Sequence, residues 1–242
     1  MIKRFLIAAL CLTAIIFGGS GCMFSLSNPN QPTEPSQNAN ELALAYLEEK
    51  YGEPFYYSAP YGDSMTGTRS LLVTCNSFPD QQLLVQVEGF KTNQKVFLDN
   101  YLAVKYQSET IDFLHACISE HYPNANIFYE APLVCQSANL SAAASFEEFL
   151  ADGRAKLIVM LEVNASEFTG PESINEIVTQ ITESCNHMTL TVIVVDDSLF
   201  GTMDRSELNN RISHRDYVAM GKVYIDQNGV ETKWRGEGIA NG

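Results

Sequence analysis

Apolar and polar positions are distributed in three different ways along this chain, and each predicts a different kind of segment. Residues 5–17 carry no charge, residues 23–40 hold almost no aliphatic side chain, and beyond residue 40 short apolar periods alternate with polar loops. In that third part, Leu42, Ala45, Tyr46 and Leu47 give an apolar side to a helix that Asn40 caps and Gly52 ends. Residues 70–75 and 82–88 read as strands about the turn-forming residues 76–80, and a third strand lies near residues 94–98. Asp99 then opens the longest helix, which reaches about His121, and Pro123 forbids much extension.

The pattern changes in the second half. Residues 156–163 and 188–195 are nearly continuous apolar strands, of the kind covered on both faces or placed centrally in a sheet. A helix lies between them, started by Pro171 and the capping pair Ser173 and Glu176, so strand, helix and strand predict a parallel crossover. Ser145 with Glu148 and Asp204 with Glu207 announce two more helix starts. Residues 222–226 and 230–234 flank Asn228-Gly229, which predicts a hairpin through a type I′ turn. The fold class expected is α+β, with a mixed, largely antiparallel sheet packed by helices in two small subdomains. Residues 40–130 form the helix-plus-antiparallel-sheet module, and residues 145–242 the strand-helix-strand module with its C-terminal hairpin.

The first 22 residues carry an address. Lys3 and Arg4 precede the 13 uncharged residues 5–17, and Gly18, Gly19, Ser20 and Gly21 follow, which is the order of a secretory signal. The run falls short of the ~20 apolar residues that span a bilayer as a helix, so cleavage is expected rather than a permanent anchor. In FGGSGC, small residues stand directly before Cys22. This stretch resembles the lipobox of bacterial lipoproteins, in which the cysteine is diacylated through its thiol, with chains such as palmitate, and becomes the mature N-terminus. The resemblance implies a signal peptide over residues 1–21, lipidation at Cys22, and a protein held on the extracytoplasmic face of the cell membrane. Residues 22–39, with their prolines, serines and asparagines, cannot bury enough apolar surface to offset ordering and form a flexible tether. Its root-mean-square span is about 20–25 Å.

Charge narrows the partners. Loss of residues 1–21 removes two bases and no acid, leaving 13 basic and 29 acidic residues, a formal charge of −16. Such a chain repels nucleic acid and anionic headgroups, so nucleic-acid binding is excluded and membrane attachment falls to the N-terminal lipid. Beyond Cys22, Cys75, Cys117, Cys135 and Cys185 are an even set that permits three disulfide pairings. Cys117 and Cys185 also extend apolar helical stripes, so a reading as buried thiols stands beside the disulfide one. No Cys-x-x-Cys spacing occurs, which argues against a thioredoxin-like site or a zinc knuckle.

The segments ALAYLEEKYGEPF (residues 43–55) and KVFLDNYLAVKY (residues 95–106) are similar to segments of uncharacterised envelope lipoproteins of Firmicutes. That resemblance implies a small helix-plus-sheet module at the cell envelope, with Asp99 and Tyr101 as shared features, and brings no catalytic residues. Chemistry is sparse elsewhere. His115, His121, His187 and His214 are scattered, and Ser213-His214-Arg215-Asp216 puts triad residue types side by side where a triad gathers them from separate places. Asp196-Asp197, at the end of an apolar strand, is the weak candidate for a magnesium or calcium site. The functional expectation is a membrane-tethered, noncatalytic binding or assembly module with no cofactor and an envelope protein as its partner. The alternative is a secreted hydrolase, metal-assisted at Asp196 and Asp197.

Overall fold

A computed structural model describes residues 38–63, 67–90, 92, 94–129, 131–132 and 140–236. The signal, Cys22, tether residues 22–37 and Cys135 lie outside the described residues. The first helix, α1 (Ala39–Tyr51), begins two residues earlier than its sequence predicts. Asn38, not Asn40, is its N-cap, and the Asn38 side chain accepts from the Asn40 amide. Asn40 instead accepts from the Arg69 Nε–H at 3.1 Å, and Gly52 closes the helix at φ 72°, where glycine carries no steric penalty.

Four antiparallel strands follow, in the order β1 (Phe55–Asp63), β2 (Arg69–Cys75), β3 (Leu83–Glu88) and β4 (Val96–Asp99). The strand β1 has no signature in the sequence pattern for a physical reason. It is an edge strand, its Tyr56, Tyr57 and Tyr61 face solvent, it contains Pro60, and its register slips on both sides of Ala59-Pro60. Central strands keep the period of two: Leu71, Val73, Val85 and Val87 are buried with Ala43 and Leu47 of α1.

The long helix expected from Asp99 to His121 is two helices, α2 (Tyr101–Lys105) and α3 (Gln107–Ile118). They break at Tyr106, whose backbone leaves the helical region while its buried ring reaches away and its hydroxyl donates to the Ala144 carbonyl. Asp99 closes β4 rather than opening a helix, and Asn100 holds the N-cap position without a side-chain cap bond.

The second sheet runs β5 (Asn126–Tyr129), β6 (Leu157–Asn164), β7 (Met188–Val195), β8 (Ala219–Asp226) and β9 (Gly229–Gly236), in that order. Among the described residues only β6 and β7 pair in parallel, in register from Leu157 opposite Met188 to Asn164 opposite Val195. Their crossover is α5 (Pro171–Thr182), which buries Ile174, Ile177, Val178 and Ile181 as its 3.6-residue period demands. Its N-cap is Gly170, and Ser173 does not cap; its hydroxyl serves the Gly170 carbonyl and the Tyr122 hydroxyl. The helices α4 (Phe146–Ala151) and α6 (Arg205–His214) both start with complete capping boxes, Ser145 with Glu148 and Asp204 with Glu207.

The β8–β9 hairpin forms, but not through a type I′ turn. Asp226 pairs with Gly229, so Gln227 and Asn228 are the turn residues, and Gly229 alone takes a positive φ, 122°. The Asp226 side chain accepts from the Asn228 amide and so supports a turn that needs no left-handed asparagine.

Both sheets contribute to one large apolar cluster, which takes in Leu71 and Val85 as well as Leu157 and Leu190. Each such buried aliphatic side chain contributes about 1.5–3 kcal/mol. A smaller cluster of Met160, Ile193, Val195, Met203 and Leu208 fills the other face of the second sheet beneath α6. The architecture is α+β, with two sheets, of four and five strands, and mostly antiparallel pairing.

Candidate functional site

The densest polar assembly gathers about Asp99, which is 2 % exposed at the end of β4. Its Oδ1 accepts from the Tyr51 hydroxyl at 2.5 Å and from the Tyr101 amide at 3.1 Å. Its Oδ2 accepts from the Lys50 ammonium at 2.7 Å and the Tyr46 hydroxyl at 2.9 Å. A carboxylate offers about four lone-pair sites, and here four donors occupy them. The spacing of α1 explains the convergence: Tyr46 and Lys50 are four apart, hence on one face, and the Lys50 ammonium also donates to the Tyr46 hydroxyl.

The aromatic rings close this assembly. Tyr51 stacks on Tyr101 with centroids 3.9 Å apart, Tyr46 stacks on Phe97, and the Lys50 ammonium lies 4.9 Å from the Tyr51 ring centroid. Burial, then the Asp99 charge, pushes the Tyr51 phenol far above its ordinary range, so it acts as a donor only. Tyr101 extends the assembly by donating to Glu53 at 2.8 Å, and burial with that bond pushes its phenol up to about 12. Burial works to raise the Glu53 carboxyl, but the hydrogen bonds from Tyr101 and Ser77 outweigh it and hold the group below its ordinary value. Asn100 performs a related task beside Asp99. Its Oδ1 accepts from the Leu84 amide at 2.7 Å and its Nδ2 donates to the Pro132 carbonyl, replacing backbone partners where β4 ends.

A second buried carboxylate sits in the other sheet. Glu162 of β6 is fully buried, and its Oε2 accepts from Asn126 Nδ2 at 2.7 Å while Oε1 takes the Gly201 amide at 3.4 Å. Both partners line a cleft of about 300 Å³ whose rim includes His115. No ammonium or guanidinium is among these contacts.

The residues singled out by sequence do not come together. Asp196 and Asp197 are exposed at the carboxyl ends of the parallel strands; Asp197 accepts from the Ser166 amide at 3.1 Å, and the Asp196 carbonyl accepts from Leu199 and Phe200. Among the described residues, no group of three or more His, Cys, Asp or Glu side chains is arranged to hold a metal. The histidines are dispersed: His187 contacts the Gly153 carbonyl, His214 the Asn210 carbonyl, and His121, beyond the end of α3, lies 3.6 Å from Glu176. Cys75, Cys117 and Cys185 are free, buried thiols in this structure, and Cys135, the fourth disulfide candidate, lies outside the described residues. Burial raises all three, Cys185 to about 11, which makes them inert at neutral pH. Sequence reasoning missed the Lys50, Tyr46 and Tyr51 grouping, although the i, i+4 pair was visible. It also missed Glu162, whose signal was a lone charge inside an apolar strand.

No protein-family model matches the chain, and no curated protein matches it. Among solved structures it is similar to the crystal structure of a DUF5037 family protein from Ruminococcus gnavus, with 12% sequence identity and a TM-score of 0.38. That likeness covers 80% of this chain and 94% of the other. Among the described residues, no helix is long and apolar enough to cross a membrane.

Proposed function

We propose that this chain is a lipoprotein of the cell envelope, cleaved before Cys22, diacylated there, and tethered so that its folded body works as a noncatalytic binding or assembly module on the extracytoplasmic face. The observation that carries the noncatalytic part is the saturation of Asp99. Its four acceptor positions are filled by Tyr51, Tyr101, Lys50 and Tyr46, leaving no lone pair for a substrate proton or a cation. A general base needs a free acceptor within hydrogen-bond reach of the proton it takes. The anchoring part is supported by FGGSGC ahead of the polar, proline-bearing residues 23–38. Two acyl chains hold a protein stably because each buried methylene contributes about 0.8 kcal/mol, whereas one chain binds only marginally.

The test is made on the protein in its own membranes. Mass analysis should find a mature N-terminus at Cys22 bearing acyl chains, detergent partitioning should be lost in Cys22→Ala, and a specific envelope protein should co-purify with the tethered form. An N-terminus ahead of Cys22, or partitioning that survives the substitution, overturns the anchor. Hydrolysis of an envelope substrate that Asp99→Asn abolishes without unfolding the protein overturns the noncatalytic assignment.

A further inference from the structure

Three of the cations placed by the fold hold a carboxylate. Lys50 holds Asp99, Arg211 holds Asp216, and Lys233 holds Glu231. Arg215 and Arg235 differ: both are exposed, and neither has an ion-pair partner among the described residues. They line one cleft of about 460 Å³ together with Tyr217, Val218 and Gly236, and among the described residues no carboxylate lines it. In a chain of 29 acidic and 15 basic residues, that local balance runs against the general charge.

The fold places both arginines there. Arg215 is the C-cap of α6 and has φ 58°, the one non-glycine with a positive φ among the described residues. That turn sends the Asp216 amide back to the Arg211 carbonyl and the Asp216 carboxylate to the Arg211 guanidinium, so the acid beside Arg215 in sequence is already engaged. Arg235 comes from the edge strand β9. It pairs with Met220, which pairs with Ile193 of the cluster beneath α6, so Arg235 stands on the face that carries α6. Its neighbour Trp234 stands on the opposite face, over Gly221. The backbone at Gly236 closes one end tightly, since a Cβ there would meet the Val218 carbonyl oxygen at 2.7 Å.

We propose that this cleft binds a phosphate-bearing anion through Arg215 and Arg235. Guanidinium groups present paired N–H donors that match phosphate oxygens, and two of them can share one phosphate. The volume admits more than the phosphate itself, so the ligand is a phosphorylated small molecule or a phospholipid headgroup. The assignment stands apart from the lipid anchor and fails separately from it.

The experiment uses the full chain in detergent, melted in sodium phosphate and in sodium chloride at equal ionic strength. Phosphate at ten times its dissociation constant should raise the melting temperature by about 3 °C, and the rise should vanish in Arg215→Gly and Arg235→Gln. Arg215→Gly is chosen because glycine accepts φ 58° more easily than arginine, so a lost response reports binding and not misfolding. Sedimentation of the Cys22→Ala chain with phosphatidylglycerol vesicles, but not phosphatidylcholine vesicles, and its loss in both arginine variants would assign the headgroup. A phosphate response without sedimentation would assign a soluble phosphate compound. No phosphate-specific rise together with no arginine-dependent sedimentation overturns the proposal, and so does a rise that both variants retain.

Discussion

Asp99 and Glu162 are both buried carboxylates, each at a sheet that abuts the same core, yet the protein treats them in opposite ways. Asp99 has an ammonium, two phenols and an amide, and through Lys50, Tyr46 and Tyr51 it fastens α1 to the end of β4. Glu162 has one side-chain amide and one backbone amide, and it ties β5 and the Gly201 turn to β6. The difference teaches where charge is part of the architecture. Around Asp99 it is, because the carboxylate is paired with Lys50, itself largely buried with its side chain 11% exposed. Around Glu162 both donors are neutral, the Asn126 side-chain amide and the Gly201 backbone amide.

The largest expected effect follows from that contrast. Asp99→Asn removes the charge that the largely buried Lys50 ammonium bonds at 2.7 Å and should cost about 3–5 kcal/mol in chemical denaturation. A loss below about 1 kcal/mol would make the first region no different from the second. Next comes the apolar second sheet. Gly221→Ala puts a Cβ 2.7 Å from the Trp234 ring across the β8–β9 pair and should cost about 1–3 kcal/mol by overpacking; an unchanged midpoint would mean that Trp234 swings aside freely. Smaller again, Glu162→Gln should cost about 1 kcal/mol, because a glutamine keeps an acceptor for Asn126 or Gly201 and the Asn126 amide can turn to meet it. A penalty as large as that of Asp99→Asn would erase the distinction.

The last effect leaves stability at pH 7 untouched. Burial raises the Cys185 thiol from about 9 to about 11 in the folded protein, so its contribution is complete below about pH 9 and is lost as pH rises through about 11. Cys185→Ala should therefore flatten the fall in stability over that window, measured by denaturant titration at stepped pH. Parallel curves for the two proteins would contradict the assignment.

Which parts could be read in advance follows from what is local. The stripe Ile174, Ile177, Val178 and Ile181, the two capping boxes and the parallel strands on either side of α5 were legible because helix period, cap chemistry and continuous apolar runs are properties of neighbouring residues. The edge strand β1 was not, because an edge carrying Pro60 and exposed tyrosines lacks alternation. The break at Tyr106 was not either, since the bond that draws its ring away ends on Ala144, 38 residues on. The same holds for the site. Asp99 was visible as a residue between a strand and a helix, but its donors Tyr46 and Lys50 lie 53 and 49 residues away in sequence. Asn228-Gly229 announced the hairpin correctly and its turn type incorrectly, because pairing of Asp226 with Gly229 moved the turn back by one residue.

The central claim is that the Asp99 assembly fastens the fold and is not held ready for chemistry, and a double-mutant cycle between Lys50 and Asp99 tests it most directly. Lys50→Met and Asp99→Leu should each lose about 3–5 kcal/mol, because each removes one charge of a buried ion pair, and the double variant should be more stable than the sum of the losses allows, with a coupling energy of about 1.5–3 kcal/mol. Losses that simply add, with a coupling energy near zero, would contradict it.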